Sequence, residues 1–186
     1  MTAALFRHAR ALAFVASLVA FTCAAFGQPS VSDLPHFHQH SVELATAGQP
    51  TRAQLAAVKV SGYVLVINLS PTGLPGEVKD EQQLVEASGV SYVRIPVDWD
   101  KPSPEGLEKF FDVMDRYKGS KVMVHCWLNA RSSAFVYAYR TMKLGLPEAE
   151  EREILTSIWD KNEGYELRNA PQWQAFLDQA RIRFKK

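Results

Sequence analysis

The sequence contains very little cysteine. Of its 186 residues, only Cys23 and Cys126 carry a thiol. Residues 1–27 have the pattern of a secretory signal, because Arg7 and Arg10 precede an uncharged apolar run that ends in small residues. Cys23 lies inside this segment, so cleavage leaves Cys126 as the sole thiol and excludes an internal disulfide. An exported protein that keeps one unpaired cysteine generally uses it, and we therefore expect Cys126 to have a chemical role.

Long apolar runs are also scarce. The run within residues 1–27 is too short for a membrane anchor, and we predict no stable membrane span after signal cleavage. We expect the mature chain to be exported, either to the periplasm or as a secreted protein. Removing 27 residues from 186 leaves 159, which suffices for one domain with its own core. We assign residues 28–44, which are largely polar and contain Pro29 and Pro35, to an irregular lead-in, and residues 45–186 to the domain.

An excess of charge of one sign is missing as well. The whole chain has 21 basic and 20 acidic residues, and without Arg7 and Arg10 the balance is 19 against 20. A protein that binds nucleic acid through its phosphates generally has a marked basic excess. The sequence therefore argues against a nucleic-acid partner. It also contains no internal repeat and no low-complexity tract.

What is present is an alternation of strand and helix patterns. Apolar or β-branched runs at 63–69, 91–97 and 121–125 predict strands, and segments with helical periodicity lie between them and after them. This order is typical of an α/β domain with a largely parallel central sheet flanked by helices. Ligands of such sheets bind beyond the carboxyl ends of the strands. Cys126, Asp98 and Asp100 all follow predicted strands.

The segment around Cys126 has the features of a nucleophile that faces an anion. His125 and Cys126 end a strand, and a helix begins close to Arg131. Backbone N–H groups and the helix dipole at such a point favour negative charge, which stabilises a thiolate. The planar guanidinium of Arg131 suits an oxyanion. The alternative is a buried, inert cysteine, which the neighbouring His125 and Arg131 disfavour.

Four further residues have candidate roles in this chemistry. If the strands before Asp98 and Cys126 are neighbours, the carboxylates of Asp98 and Asp100 project toward the Cys126 loop, and either one can protonate a leaving oxygen. The alternative for both is turn chemistry before a helix cap. Ser132 can donate a hydrogen bond to the thiolate, and His125 is expected to lie behind the loop and hold it.

Four motifs occur along the chain: Gly48-Gln49-Pro50-Thr51, Val66-Ile67-Asn68-Leu69, Ile95-Pro96-Val97-Asp98, and His125-Cys126 with Arg131-Ser132. Together they resemble the cysteine-dependent protein tyrosine and dual-specificity phosphatases, and in particular a bacterial branch of small dual-specificity-like domains. The resemblance covers roughly residues 45–145. It implies a dual-specificity-phosphatase-like fold, a phosphorylated substrate, no cofactor and no metal. It also implies Cys126 as nucleophile, Arg131 as phosphate clamp, Ser132 as thiolate partner and Asp98 as general acid.

The loop departs from that pattern in length. The phosphatase loop normally has five residues between Cys and Arg, usually with a glycine, whereas this chain has four, which we expect to line the substrate site: Trp127, Leu128, Asn129 and Ala130. Asn129 is the residue best able to adopt a left-handed conformation in place of glycine. A four-residue gap is also typical of rhodanese-like sulfurtransferases. The sequence therefore leaves three hypotheses: a phosphatase, a sulfurtransferase that uses a Cys126 persulfide, and a phosphate-binding module without efficient catalysis.

The remaining polar pattern is weaker. His36, His38 and His40 alternate, so that on an extended segment they share a face. Such a set can bind a metal, but no convincing further ligand lies nearby, and a solvated lead-in is the favoured interpretation.

Overall fold

A computed structural model describes residues 30–184, and the predicted signal segment therefore lies outside the described residues. Its centre is a five-stranded sheet in the order β1-β2-β5-β3-β4. Strand β1 pairs antiparallel with β2, and all other pairs are parallel. The predicted fold class, a largely parallel sheet flanked by helices, is confirmed. The strands are β1 (His38–Ser41), β2 (Leu44–Ala47), β3 (Leu65–Asn68), β4 (Ser91–Arg94) and β5 (Val122–His125).

Within residues 30–184, six α-helices flank this sheet, and two of them begin at a side-chain cap. Thr51 accepts a hydrogen bond from the Gln54 N–H and closes a capping box, and Ser103 caps the helix that begins with Pro104. The helices are α1 (Arg52–Val60), α2 (Glu81–Ala87), α3 (Pro104–Arg116), α4 (Ala130–Ala138), α5 (Glu148–Trp159) and α6 (Pro171–Phe184). Helix α4, the helix predicted to begin close to Arg131, continues into a π-helical turn, Tyr139–Lys143.

The two faces of the sheet have separate apolar cores. On the front face, Val122, Val124 and Cys126 belong to the cluster that contains helices α3 to α6. On the back face, Met123 and Val66 pack with residues of α1 and α2. Because successive side chains of a strand point to opposite faces, His125 lies on the back face and Cys126 on the front.

The prediction of an irregular segment over 28–44 is wrong for its second half. Residues His38–Ser41 form β1, and β2 begins at Leu44. Strand β1 is an edge strand whose side chains are only alternately half-buried, so its sequence has no apolar pattern. Strand β2 consists of small and apolar residues that are all buried, and it is too short to be recognised by periodicity.

The expectation that no stable membrane span follows the signal can be compared with residues 30–184 alone. Between residues 30 and 184, no helix combines the length and the apolar character that a bilayer crossing requires.

Candidate active site

The Cys126 loop starts at the carboxyl end of β5, which lies between β2 and β3. The Cys126 N–H donates to the Ala47 carbonyl at 3.2 Å, and the Leu69 N–H donates to the His125 carbonyl at 2.8 Å. Cys126 itself is fully buried. The strand ends on both sides therefore hold Cys126 at the middle of the sheet edge where α/β proteins bind ligands.

The loop that follows has the conformation of an anion-binding nest. Asn129 has a φ of 63°, in the left-handed region, as predicted for the position where glycine is missing. Its side-chain amide donates to the His36 carbonyl at 2.7 Å, which stabilises this conformation. Helix α4 begins directly after it. A left-handed residue before a helix turns successive N–H groups toward one point.

Several N–H groups of this loop remain available to a ligand. Among the described residues, no acceptor faces the backbone N–H groups of Trp127, Leu128, Ala130, Arg131 and Ser132. Unpaired backbone donors are costly unless water or a ligand satisfies them. An oxyanion is the ligand that such a set of donors fits best.

The Gly48-Gln49 segment lies directly against the loop. A Cβ on Gly48 would approach the Trp127 carbonyl oxygen to 2.9 Å, so only glycine permits this contact. The Gln49 N–H donates to the same carbonyl at 3.0 Å, and the Gly48 N–H donates to the Pro35 carbonyl at 2.6 Å. The lead-in and the end of β2 thus support the first half of the loop.

Arg131 is positioned by two contacts and keeps its terminal nitrogens open. The side chain is 6% exposed, and its Nε donates to the Val97 carbonyl at 2.9 Å. The guanidinium carbon lies 5.2 Å from the ring centroid of Trp99, a cation–π contact. Within residues 30–184 no carboxylate pairs with Arg131 and no acceptor faces its two terminal nitrogens. The guanidinium can therefore present both nitrogens to an oxyanion.

A cavity of about 180 Å³ opens beside Arg131. Of the five residues predicted to contact substrate, four lie in its wall and Asn129 does not, because its amide faces the lead-in. Cys126 is not part of the wall either. The wall is apolar and aromatic apart from Arg131, and it consists of Leu74, Trp99, Trp127, Leu128, Ala130, Arg131 and Tyr165. The group that enters this cavity beside a bound anion is therefore expected to be apolar.

Trp99 is a site residue that the sequence reasoning missed. It stacks on Trp159 at 5.6 Å between ring centroids, contacts Trp173 at 5.5 Å, and supports both Arg131 and the cavity wall. Trp159 and Trp173 are both fully buried, which is typical of packing residues. The available signal was the position of Trp99 between the two candidate acids, directly after a strand end.

The condition under which Asp98 and Asp100 were expected to reach the loop is not met, because β3 lies between β4 and β5. The segment after β4 nevertheless reaches the loop through the hydrogen bond between Arg131 and Val97. Asp98 and Asp100 are both exposed. One Asp98 oxygen, Oδ1, accepts from the N–H groups of Asp100 and Lys101, so part of this carboxylate stabilises the turn.

Behind the loop, His125 belongs to a buried polar network. Its Nε2 lies 2.6 Å from Glu81 Oε1, and Glu81 also accepts from Asn68 and Gln49. Burial alone raises the pKa of Glu81, but the facing His125 and the hydrogen bonds from His125 and Gln49 outweigh it and lower the pKa. Burial, followed by the charge of Glu81, raises the pKa of Tyr92, the next member of the network, to about 12. His125 thus lies on the back face of the sheet, behind the loop.

The remaining candidate residues are Ser132 and the histidines of the lead-in. Ser132 is buried, and its hydroxyl has no hydrogen-bond partner among the described residues, including Cys126. His38 and His40 form an edge contact at 4.6 Å on β1, and His40 Nε2 lies 3.0 Å from Thr46 Oγ1. No cluster of three or more potential metal ligands occurs in the described part of the chain.

Comparisons with known proteins identify relatives of this fold. No protein-family model and no curated protein matches the chain. A crystal structure of a candidate phosphatase (DUF442) from Shewanella putrefaciens CN-32 is 35% identical, with a TM-score of 0.72 over 84% of this chain and 95% of that chain. The P. aeruginosa protein TpbA is 14% identical, with a TM-score of 0.61 over 81% and 91%. The core catalytic domain of the S. cerevisiae phosphatase SIW14 is also 14% identical, with a TM-score of 0.59 over 79% and 86%. The last two show the fold alone, whereas the first shows the family. The chain therefore belongs to the DUF442 family of phosphatase-like proteins and has the fold of the cysteine-dependent tyrosine and dual-specificity phosphatases.

Proposed function

We propose that the protein is a phosphatase that hydrolyses a phosphate monoester through a phosphocysteine on Cys126. The observation that carries this proposal is that the loop N–H groups after Cys126 and the terminal nitrogens of Arg131 have no hydrogen-bond partner in the part of the chain that the structure describes. These donors are arranged for a tetrahedral dianion and for the charge on its equatorial oxygens during transfer. One structural neighbour, TpbA, has been crystallised with phosphotyrosine, which supports the same substrate chemistry.

The reaction has two steps. The Cys126 thiolate attacks phosphorus while the bond from phosphorus to the ester oxygen breaks, and the protonated Asp98 gives its proton to the leaving oxygen. A water molecule then attacks the phosphocysteine, its proton passes to Asp98, and the sulfur–phosphorus bond breaks to release inorganic phosphate. The Ser132 hydroxyl, which is buried and has no hydrogen-bond partner within residues 30–184, would donate to the departing thiolate. Arg131 and the loop N–H groups bind the phosphoryl oxygens throughout.

The test uses mature protein, residues 28–186, in reducing buffer with an aryl phosphate as substrate. Cys126→Ser is expected to abolish phosphate release, and Asp98→Asn to reduce it strongly, while Asp100→Asn serves as the matched control for the acid. Cys126→Ser with full hydrolysis would exclude the covalent mechanism. If Asp100→Asn causes the loss and Asp98→Asn does not, the general acid is Asp100.

A sulfurtransferase is the second candidate, because two observations favour it. Only four residues separate Cys126 from Arg131, and the thiol is fully buried, which suits a small sulfane sulfur better than a phosphate ester. In this reaction the Cys126 thiolate takes the sulfane sulfur of thiosulfate, sulfite leaves, and cyanide then removes the sulfur as thiocyanate. No alcohol leaves, so Asp98→Asn should not affect the rate. Phosphate binding without either reaction would indicate the third hypothesis, a binding module.

A further inference from the structure

The carboxylate of Glu81 connects three strand ends behind the candidate site. Glu81 is 1% exposed and begins α2 on the back face of the sheet. Its Oε1 lies 2.6 Å from His125 Nε2, at the end of β5, and 3.3 Å from Asn68 Nδ2, at the end of β3. Its Oε2 accepts from Gln49 Nε2 at 2.8 Å, two residues beyond the end of β2. These strands are the three central neighbours of the sheet order.

Two of the three partners of Glu81 carry the Cys126 loop directly. His125 precedes Cys126 in the chain, and the Gln49 N–H donates to the carbonyl of Trp127. The positions of the peptide groups on both sides of the nucleophile therefore depend on side chains that Glu81 holds.

The orientation of His125 depends on Glu81 to a high degree. Its ring is fully buried, and its other nitrogen, Nδ1, has no hydrogen-bond partner among the described residues. The contact with Glu81 is thus the single polar contact in the described structure that fixes the ring. A buried carboxylate is retained only where its hydrogen bonds offset the cost of removing it from water.

We propose that Glu81 is a positioning residue for the Cys126 loop: through His125 and Gln49 it places the N–H groups that bind the transferred phosphoryl group. This proposal rests on the proposed function of the loop. Glu81 acts through its partners and touches no reacting atom, because it lies on the opposite face of the sheet from the thiol.

The test exchanges donor and acceptor between two side chains. In Glu81→Gln an amide N–H can face the Gln49 amide N–H, which breaks that contact. The double variant Gln49→Glu with Glu81→Gln returns an acceptor to the pair with the polarity reversed. Glu86→Gln, on the exposed side of the same helix, is the matched control. Steady-state kinetics with an aryl phosphate and thermal unfolding are measured for the wild type and for these three variants.

The expected result is a split between kcat and KM. Glu81→Gln should lower kcat about tenfold and change KM less than about threefold, because misplaced donors affect the transition state more than ground-state binding. The double variant should recover most of kcat, and Glu86→Gln should match the wild type. A folded Glu81→Gln protein with wild-type kcat, or a folded double variant no more active than the single one, would overturn the proposal.

Backbone amide chemical shifts of residues 126–132 separate this proposal from the proposed function, because they require no activity. Glu81→Gln should move these shifts, the double variant should move them back toward wild-type values, and Glu86→Gln should leave them unchanged. If the wild type hydrolyses no aryl phosphate but the shifts follow this pattern, the proposed function fails and the positioning role stands. Unmoved shifts in Glu81→Gln overturn the positioning role whatever the activity.

Discussion

The two faces of the sheet at the Cys126 loop satisfy their polar groups in opposite ways. On the back face, Glu81 is bonded to His125, Asn68 and Gln49, so the protein itself provides its partners. On the front face, the loop N–H groups and the terminal nitrogens of Arg131 have no described partner and border an aromatic cavity. Polar groups that a folded chain leaves unpaired beside a cavity indicate where a ligand supplies the missing acceptor. The back face therefore supports the loop, and the front face is the side on which we propose that the chemistry takes place.

The largest effect is expected from removing the front-face donor itself. Arg131→Ala should lower kcat/KM for an aryl phosphate by roughly 10³-fold, because one charged, preorganised donor to a transferring phosphoryl group contributes several kcal/mol. Arg131→Lys keeps the charge but loses the planar fork, and we expect it to recover only part of the rate. Steady-state kinetics measures both. An Arg131→Lys enzyme with wild-type activity would show that charge alone, without the fork, is sufficient.

The next largest effect is expected at Gly48, where the chain after β2 contacts the Cys126 loop. Gly48→Ala would place a Cβ 2.9 Å from the Trp127 carbonyl oxygen, so the loop backbone must shift. We expect a loss of roughly 1–3 kcal/mol in the free energy of unfolding, typical of overpacking, together with lower activity. Gly106→Ala is the control, since its Cβ would have no contact closer than 3.7 Å. Denaturant unfolding compares the two variants, and equal stability of both would contradict the steric role of Gly48.

A comparison of the buried His125 with the half-buried His40 on the edge strand gives a pH-dependent prediction. His125 faces a carboxylate, whereas burial, with His38 and Arg140 nearby, lowers the pKa of His40 to about 3. The unfolded chain therefore binds a proton at His40 below about pH 6.5 that the folded chain does not, so stability falls as the pH decreases from 6.5 toward 3. Between pH 7 and pH 5 the protonation of His40 in the unfolded chain lowers the free energy of unfolding by about 2 kcal/mol.

His40→Gln, which keeps a hydrogen-bonding group near Thr46, tests this sign. Between pH 7 and pH 5, the free energy of unfolding of the variant should fall by about 2 kcal/mol less than that of the wild type. Urea unfolding at both pH values measures this difference. Identical pH dependence in the two proteins would mean that His40 is protonated in the folded state.

The smallest effect is expected at the cavity wall. Trp127 forms an edge contact with Tyr165 at 5.9 Å between ring centroids and lines the cavity. Trp127→Ala should reduce kcat/KM for an aryl phosphate by roughly tenfold and for a small alkyl phosphate by much less, because the lost contact is apolar. Equal losses for both substrates would show that Trp127 supports the loop and does not select the substrate.

The sequence contained much of this site, and the missing parts have identifiable physical causes. The alternation of strands and helices and the left-handed conformation of Asn129 are local properties, and the sequence indicated both. The caps at Thr51 and Ser103 are local in the same way. Strands β1 and β2 were not predicted, because an edge strand with polar side chains and a four-residue strand of small residues have no clear period.

Residue types and spacing along the chain determined the fold class, the place of Cys126 at a strand end and the pairing of Cys126 with Arg131 as candidate chemistry. Only the tertiary structure decided which strands are neighbours, that Trp99 supports Arg131, and that Glu81 holds His125 and Gln49. Periodicity and capping arise from interactions within a few residues. Contacts between residues 30 to 45 positions apart depend instead on the order in which the strands assemble, for which a single sequence carries no local signal.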